Sequence, residues 1–247
     1  MNLRKLFFIY GSALVMVVVC VAVLAVGSER LLNKEAERTV EWKEDFSKVA
    51  KNDLPAGWKV QKKPGTGPVT FAVEKDAKGG EPFLHMESDK GSASLITKVK
   101  GIDPEKTPFI KWKWRVTELP EGGDGRVKSK DDQAIGIYVG TGSMFNNKSV
   151  SYRWDTDTPK GAEGNAVYGG GSVKVKWFTL RNREDAKDGA WYVEERNFAE
   201  DFMKAWGFYP ETIILSISCN SQYTGTKDAA DLGWIEFMSS SKEEEDK

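Results

Sequence analysis

The stretch that decides the fold is FIKWKWRVTEL, at positions 109–119. Its side chains form two alternating sets. The apolar set is Ile110, Trp112, Trp114 and Val116, and the polar set is Lys111, Lys113, Arg115 and Thr117. Successive side chains of a β-strand point to opposite faces, so this two-residue period predicts a strand with one face in a core and the other in solvent.

Similar but weaker runs of apolar and aromatic residues occur on both sides of this strand, separated by clusters of Gly, Pro, Asn and Asp. They lie at 57–63, 69–75, 82–88, 93–102, 133–141, 149–156, 173–181, 190–196, 212–220 and 233–238. Such spacing is typical of sandwiches and barrels, and it predicts about eleven strands in all. Nine tryptophans and 24 glycines also favour a β-rich fold over a helix bundle.

A single short helix is expected after the strand at 190–196. Asn197 can cap its N-terminus, Glu200 stands three residues further on, and Gly207 can end it. Residues 120–125 and 161–172 are rich in glycine and are expected to be loops. Because no internal repeat and no second core is visible, the sequence predicts one all-β, antiparallel, jelly-roll-like β-sandwich at 41–238. An acidic, disordered tail is expected at 239–247.

The N-terminus has the composition of a membrane or export segment. Arg4 and Lys5 precede an uncharged run at 6–26, whose roughly 21 residues would reach about 31 Å as a helix. Residues 1–27 are therefore either an uncleaved signal anchor or a signal peptide cleaved before Ser28, and residues 28–40 are expected to form a stalk. The leading positive charge places the remainder outside the cytoplasm, in the periplasm or at the cell surface, anchored to the inner membrane by residues 6–26.

Composition excludes several classes of function. The formal net charge of -1 shows no basic excess, so no nucleic-acid partner is expected. One histidine, His85, and two cysteines, Cys20 and Cys219, cannot build a zinc site of several His or Cys ligands. We find neither a phosphate-binding loop that opens a helix nor a Gly-x-Ser-x-Gly turn, so no cofactor and no catalytic residue is predicted.

Carboxylates occur in pairs at three places. They are Asp131 with Asp132, Asp155 with Asp157, and Glu194 with Glu195. Two carboxylates facing each other across a sheet could hydrolyse a glycosidic bond, but the same groups could form a structural network or contact a polar ligand. Asp155 and Asp157 also offer oxygen ligands of the kind that calcium uses, but the loop of an EF-hand is missing, and no metal site is assigned.

Strand alternation yields a predicted ligand-binding set. Asp132 and Tyr138 would share one face of their strand. If Trp191 and Val193 face the core, the alternate residues of that strand share the opposite face. The complete set is Asp132, Tyr138, Trp154, Tyr192, Glu194 and Arg196. Aromatic rings stack on the apolar faces of sugars and charged groups satisfy sugar hydroxyls, so the set favours a glycan.

Several blocks, in their order along the chain, resemble a family of exported bacterial proteins known as domain of unknown function three thousand and forty-seven. The blocks are Leu54-Pro55-Ala56-Gly57-Trp58, Ser92-Ala93-Ser94-Leu95, Trp112-Lys113-Trp114, Lys130-Asp131-Asp132-Gln133, Tyr152-Arg153-Trp154 and Glu195-Arg196-Asn197-Phe198. The resemblance implies a jelly-roll sandwich similar in shape to carbohydrate-binding modules, and it implies no activity. The family favours an Asp-rich segment near the C-terminus, where this chain has Cys219-Asn220-Ser221-Gln222-Tyr223-Thr224, and amides there bind a hard cation less well than carboxylates.

The sequence therefore predicts a noncatalytic binding module of the cell envelope, with a carbohydrate as the favoured ligand. Two alternatives remain open: a polysaccharide-active enzyme, either a glycoside hydrolase or a lyase, and a structural partner of another envelope protein. A hydrolase requires two carboxylates about 5 to 10 Å apart on one face, whereas a binding module requires a groove lined by aromatic side chains.

Overall fold

Two β-sheets hold most of the regular structure in the computed structural model, which describes residues 38–75, 80–143, 146–187 and 189–241. One compact unit, Thr39–Ser240, contains the thirteen strands and the α-helix found among these residues. The strands are β1 (Val40–Glu44), β2 (Lys59–Lys62), β3 (Val69–Lys75), β4 (Pro82–Asp89), β5 (Ser92–Val99), β6 (Phe109–Glu118), β7 (Gln133–Ser143), β8 (Asn146–Trp154), β9 (Glu163–Tyr168), β10 (Val173–Arg181), β11 (Tyr192–Asn197), β12 (Ile213–Asn220) and β13 (Lys227–Met238). The helix, α1, is Phe198–Trp206.

The strands form two layers. Sheet A has the order β11-β6-β13-β4-β3, with β1 paired to β13 beside this path. Sheet B has the order β2-β5-β12-β7-β8-β10-β9. The pair β8 and β10 is parallel and the other pairs are antiparallel. The predicted all-β sandwich with one short helix is confirmed, whereas the pair β8 and β10 departs from the predicted antiparallel pairing.

The core lies between the two sheets and is unusually aromatic. Trp112 and Trp114 on β6 are both fully buried, as the alternation at 109–119 predicts. They meet β8 of the other sheet, where the ring of Trp112 stacks on Tyr152 at 5.3 Å and that of Trp114 meets Trp154 edge-on at 5.5 Å. Edge-on and offset contacts of this kind stabilise aromatic pairs beyond the area that they bury.

Helix α1 begins and ends where the sequence predicts. The Asn197 side chain accepts a hydrogen bond from the Glu200 backbone N–H at 2.9 Å, which satisfies one of the free donors at the helix start. Gly207 follows the last turn in the left-handed region, with φ 79°, where a side chain would be strained. Phe198 and Phe202 are fully buried, so the helix is held by the sandwich core.

Two strands differ from the prediction. β9 lies inside the glycine-rich segment 161–172, which was expected to be a loop, and β1 lies in the segment before the first predicted strand. Both are short edge strands with mostly exposed residues, so neither carries the apolar alternation that marks a strand in a sequence. β9 is held by pairing with β10, from Val173 opposite Tyr168 to Phe178 opposite Glu163.

The predicted anchor at 6–26 lies outside the described residues, as do most of the predicted stalk and the end of the acidic tail. Where the structure does describe the chain, no helix is both long and apolar enough to cross a membrane. The predicted tail starts at Ser239, whose backbone N–H donates to the carbonyl of Thr39 at 2.9 Å.

Candidate functional site

A groove of about 780 Å³ lies over the outer face of sheet B. Ile137 on β7 and Leu215 on β12 belong to the core between the sheets, so the alternate residues Tyr138 and Ser216, which pair with each other, face the groove. One wall comes from the end of β2 and the residues after it, and the opposite wall comes from Tyr168 and the glycines that follow it. A volume of this size is in the range, about 300 to 1,000 Å³, of small-molecule sites.

The floor of the groove combines small residues with aliphatic ones on neighbouring strands. The small residues are Ser92 and Ser94 on β5, Gly140 on β7, Ser149 on β8, and Ser216 and Ser218 on β12, and the aliphatic ones include Ile96, Val175 and Ile214. Short side chains leave the face of the sheet hollow, and their hydroxyls can both donate and accept hydrogen bonds. Gly136, also on β7, leaves room for the ring of Tyr138, because a Cβ at position 136 would lie only 2.7 Å from a carbon of that ring.

Three tyrosines face the groove. Tyr138 rises from the floor and its hydroxyl accepts a hydrogen bond from Nε2 of Gln133 at 3.0 Å. Tyr168 stands at the end of β9, and its hydroxyl donates to Oδ2 of Asp131 at 2.5 Å. Tyr223 lies in the loop between β12 and β13 and is 36% exposed. Three rings and several hydroxyls therefore line one groove.

A buried arginine lies beneath this floor. Arg153, on β8, is 1% exposed, although it belongs to the outer-face set of its strand. Its Nη2 donates to Oδ1 of Asp131 at 2.7 Å and to Oε1 of Gln133 at 2.8 Å. Its Nε lies 3.1 Å from Oδ1 of Asp155, whose other oxygen accepts from the Thr179 hydroxyl at 3.0 Å. A single guanidinium thus pairs with two buried carboxylates.

This network positions two of the groove tyrosines. Asp131 joins Arg153 to the hydroxyl of Tyr168, and Gln133 joins Arg153 to the hydroxyl of Tyr138. Each ring is therefore fixed through one intermediate side chain, which lowers the entropy that a ligand must overcome on binding.

The electrostatics of the network follow from its burial. Burial alone lowers the pKa of Arg153, but the carboxylates of Asp155 and Asp131 outweigh it and hold that pKa above its usual value. Burial raises the pKa of Asp155 in spite of the arginine. Burial also raises the pKa of both Tyr138 and Tyr168, so their hydroxyls stay protonated at neutral pH.

Residues 56–236 match the family model described as protein of unknown function (DUF3047), and this range includes the groove and the network beneath it. This chain belongs to the DUF3047 family. The family expected from the order of sequence blocks is therefore confirmed. No curated protein matches the DUF3047 chain.

Solved structures with a similar overall shape include carbohydrate-binding modules. The family 11 module of a Clostridium thermocellum cellulosomal cellulase has 8% identity and a TM-score of 0.42, over 83% of this chain and 95% of the module. The family 30 module of a second cellulase from that organism has 12% identity and a TM-score of 0.41, over 76% of this chain and 96% of the module. The K3 adhesin domain of Lys-gingipain from Porphyromonas gingivalis has 9% identity and a TM-score of 0.35, over 81% and 100% of the two chains. Identities and TM-scores this low assign no ligand to the DUF3047 chain.

The structure separates the six residues predicted to bind a ligand. Tyr138 lines the groove. Asp132 is fully buried instead, and its Oδ2 accepts a hydrogen bond from the Thr224 backbone N–H at 2.7 Å, next to Tyr223. Asp132 therefore supports the loop that carries a groove tyrosine.

Trp154 and Tyr192 lie on the inner side of the sandwich. Trp154 is fully buried, its Nε1 donates to the carbonyl of Asn182 at 3.0 Å, and the ring of Tyr192 meets it edge-on at 5.5 Å. The prediction that Trp154 lies on a ligand-facing surface was wrong, because its alternation set on β8 fills the core while the opposite set faces the groove.

Glu194 and Arg196 also lie inward, so the predicted orientation of β11 was wrong. The two residues pair with Trp112 and Ile110 of β6, which face the core, whereas Val193 is 49% exposed. β11 is an edge strand of sheet A, and its charged residues have partners there. Glu194 accepts a hydrogen bond from Nε of Arg181, and Nη2 of Arg196 donates one to Oδ1 of Asp201 at 2.8 Å. Arg196 lines a different cavity, of about 600 Å³.

The carboxylates of Asp155 and Asp157 both have partners within the protein. Asp155 belongs to the Arg153 network, and Oδ1 of Asp157 accepts from Arg183 Nη2 at 2.8 Å. Nowhere in the described ranges do three or more His, Cys, Asp or Glu residues come together to hold a metal ion.

The sequence did not predict a role for Tyr168, Tyr223 or the network of Arg153. The block Lys130-Asp131-Asp132-Gln133 did carry a signal, because three polar residues at the start of a strand need partners when they are buried. No comparable signal marked the two tyrosines, since both stand at the ends of strands or in loops, where alternation assigns no face.

Proposed function

We propose that this DUF3047 protein is a noncatalytic carbohydrate-binding module of the cell envelope, and that a glycan lies in the groove on sheet B. The observation that supports this most directly is the meeting of Tyr138, Tyr168 and Tyr223 over a floor of serine hydroxyls. We also propose that the sandwich is of the jelly-roll type, because the connections β4–β5, β5–β6 and β6–β7 each pass from one sheet to the other.

The groove offers both kinds of contact that a sugar ring needs. The apolar face of a pyranose packs on an aromatic ring, and its hydroxyls exchange hydrogen bonds with short polar side chains. Amide groups that can do both lie at the edges of the floor, on Gln61, Asn147 and Asn220. Because both tyrosine hydroxyls near the floor are tied to the Arg153 network, the rings are already ordered before a ligand arrives.

The groove favours binding over catalysis. Glycoside hydrolysis by the usual route needs a pair of carboxyl groups, and the described residues that line the groove include no Asp or Glu. A lyase that used a tyrosine as its base would need that tyrosine's pKa lowered, whereas burial raises the pKa of both Tyr138 and Tyr168. A purely structural partner would not require a hollow floor with ordered rings.

The envelope location is part of the same proposal. It rests on Arg4, Lys5 and the uncharged run at 6–26, which together would place the sandwich outside the cytoplasm. A glycan-binding groove on the sandwich would then face envelope or external polysaccharides.

The test is a binding screen with the full chain in mild detergent, followed by matched tyrosine variants. Tyr223→Ala removes a groove ring that is 36% exposed, and Tyr209→Ala removes a ring outside the groove that is 37% exposed. An aromatic contact of about 0.5 to 1.5 kcal/mol corresponds to a roughly two- to twelvefold loss of affinity, which we expect for Tyr223→Ala alone.

The outcomes separate the candidate functions. Equal affinities for the two variants would place the ligand elsewhere, and the absence of binding across neutral and acidic polysaccharides would favour a protein partner. Release of reducing ends or of unsaturated sugars by the wild-type chain would establish an enzyme instead.

A further inference from the structure

The charge of the groove is one-sided, although the chain as a whole is nearly neutral. The chain has 36 Lys and Arg against 37 Asp and Glu. In contrast, the charged residues that line the groove, within the described ranges, are Lys62, Lys63 and Lys128, without any carboxylate. This composition favours a ligand that carries negative charge.

The lysines stand on two separate elements that border the groove. Lys62 ends β2 and Lys63 follows it, whereas Lys128 begins a short 3-10 turn, Lys128–Lys130, in the connection between β6 and β7. All three side chains belong to exposed residues. In the described part of the chain none of them forms an ion pair, while lysines such as Lys160 and Lys176 do, at 3.0 and 2.9 Å. The groove lysines are therefore available to a ligand.

Two buried carboxylates lie near the groove but are not part of its lining. Asp131 already accepts hydrogen bonds from Arg153 and Tyr168, and Asp132 accepts one from the Thr224 backbone. Both are buried, and Oδ1 of Asp132 has no hydrogen-bond partner among the described residues. The lysines are the charged groups that line the groove itself, so a ligand in the groove contacts them directly.

One of the lysines is paired with an aromatic ring. Nζ of Lys63 lies 5.0 Å from the centre of the Tyr223 ring, which holds a cation and an apolar ring face on the same wall. A uronic acid combines an apolar ring face with a carboxylate, and so it matches both groups at once. A neutral sugar would use the ring alone.

From this arrangement we infer that the groove selects acidic polysaccharides, of the uronic-acid class, over neutral ones. The inference rests on the proposed carbohydrate-binding function and specifies its ligand. Opposite charge at an exposed site adds modest affinity per contact but discriminates well between charged and uncharged forms of the same polymer.

The decisive probe is one polymer in two charge states. Polygalacturonate and the same polymer after chemical reduction of its carboxyl groups are compared for binding to the full chain in neutral detergent, at low and at high salt. We expect polygalacturonate to bind more tightly, and its affinity to fall with salt because exposed charges are screened. Polyglutamate serves as a polyanion without sugar rings and is expected to bind more weakly than polygalacturonate.

Matched variants then locate the charge. Lys63→Gln with Lys128→Gln removes two groove lysines, and Lys204→Gln with Lys227→Gln removes two exposed lysines outside the groove while changing the net charge equally. The groove pair is expected to lose up to roughly thirtyfold in affinity for polygalacturonate, which corresponds to about 1 kcal/mol for each of the two exposed contacts, and the control pair is expected to lose little.

The results distinguish failure of the charge preference from failure of carbohydrate binding. Equal binding of the charged and reduced polymers, equal binding of polyglutamate, or equal effects of the two double variants would overturn the inference and leave carbohydrate binding intact. Failure of every neutral and acidic polysaccharide to bind would overturn both the inference and the proposed function.

Discussion

Replacing Arg153 by methionine tests whether the buried network under the groove is held by one guanidinium. Arg153 is 1% exposed, and its two carboxylate partners have side-chain exposures of 6% for Asp131 and 0% for Asp155. Methionine fills similar space but carries no charge, so both carboxylates lose their cation while they remain buried. Removal of one partner from a buried ion pair costs about 3 to 5 kcal/mol of unfolding free energy.

A loss of this size is a large share of the stability of an ordinary domain, about 5 to 15 kcal/mol. For a domain of this length we expect the melting temperature to fall by roughly 6 to 20 °C. The assay is urea denaturation of the full chain, followed by tryptophan fluorescence. The control is Arg183→Met, since Arg183 is 47% exposed in its pair with Asp157 and is expected to contribute at most about 1 kcal/mol.

A second variant distinguishes lost charge balance from lost packing. Combining Arg153→Met with Asp131→Asn and Asp155→Asn removes the unpaired charges and is expected to recover part of the stability. The reasoning is refuted if Arg153→Met destabilises no more than Arg183→Met, or if the triple variant is as unstable as the single one.

Further predictions concern the core, one titrating pair and the location of the domain. Trp114→Ala is expected to lower the unfolding free energy by about 3 to 5 kcal/mol in a denaturant titration, because this side chain is fully buried. Lys113→Ala is expected to lower it by much less, and similar losses for the two variants would contradict the assigned faces of β6. A hydrogen bond with Asp231 raises the pKa of His85 from 6.5 to about 9. Wild type is therefore expected to be more stable than His85→Gln, with the whole difference present below about pH 6.5 and lost as the pH rises through about 9. Denaturation midpoints measured across that range check the sign, and a difference that grows with pH would show it to be wrong. Alkaline phosphatase fused after Lys247 is expected to be active, because the enzyme works only outside the cytoplasm; activity of a cytoplasmic reporter at the same point would disprove the proposed orientation.

Local patterns determined much of the fold. The bounds predicted for β3 and β10 agree with the structure at both ends, and the alternation in β6 separates buried from polar residues as expected. The start of α1 also follows from local chemistry, because Asn197 and Glu200 need only each other's backbone and side chain to form the cap. These features depend on contacts close in sequence, which a sequence shows directly.

Weakly patterned edge strands required the tertiary structure. β9 contains Gly164, and a Cβ at this position would lie 2.3 Å from the ring of Trp177 on the neighbouring strand. In the sequence that glycine indicates a loop, whereas in the fold it makes room for a tryptophan across the pair. Trp177 lies on the next strand, outside the sequence pattern around Gly164, so no local pattern shows that the two residues are in contact.

The sequence by itself determined that the chain is an all-β sandwich with one helix, since strand periodicity and helix caps are local properties of the chain. Only the tertiary structure decided which face is buried in strands such as β8 and β11, and with it the candidate site. In β11 alternation separates Tyr192, Glu194 and Arg196 from Val193 and Glu195, but only pairing with the inward tryptophans of β6 shows which set faces the core. In β8 both sets are buried, one in the core and one under the groove, so polarity cannot distinguish them. A two-residue period fixes which side chains lie together, whereas the direction in which they point depends on what packs against each face.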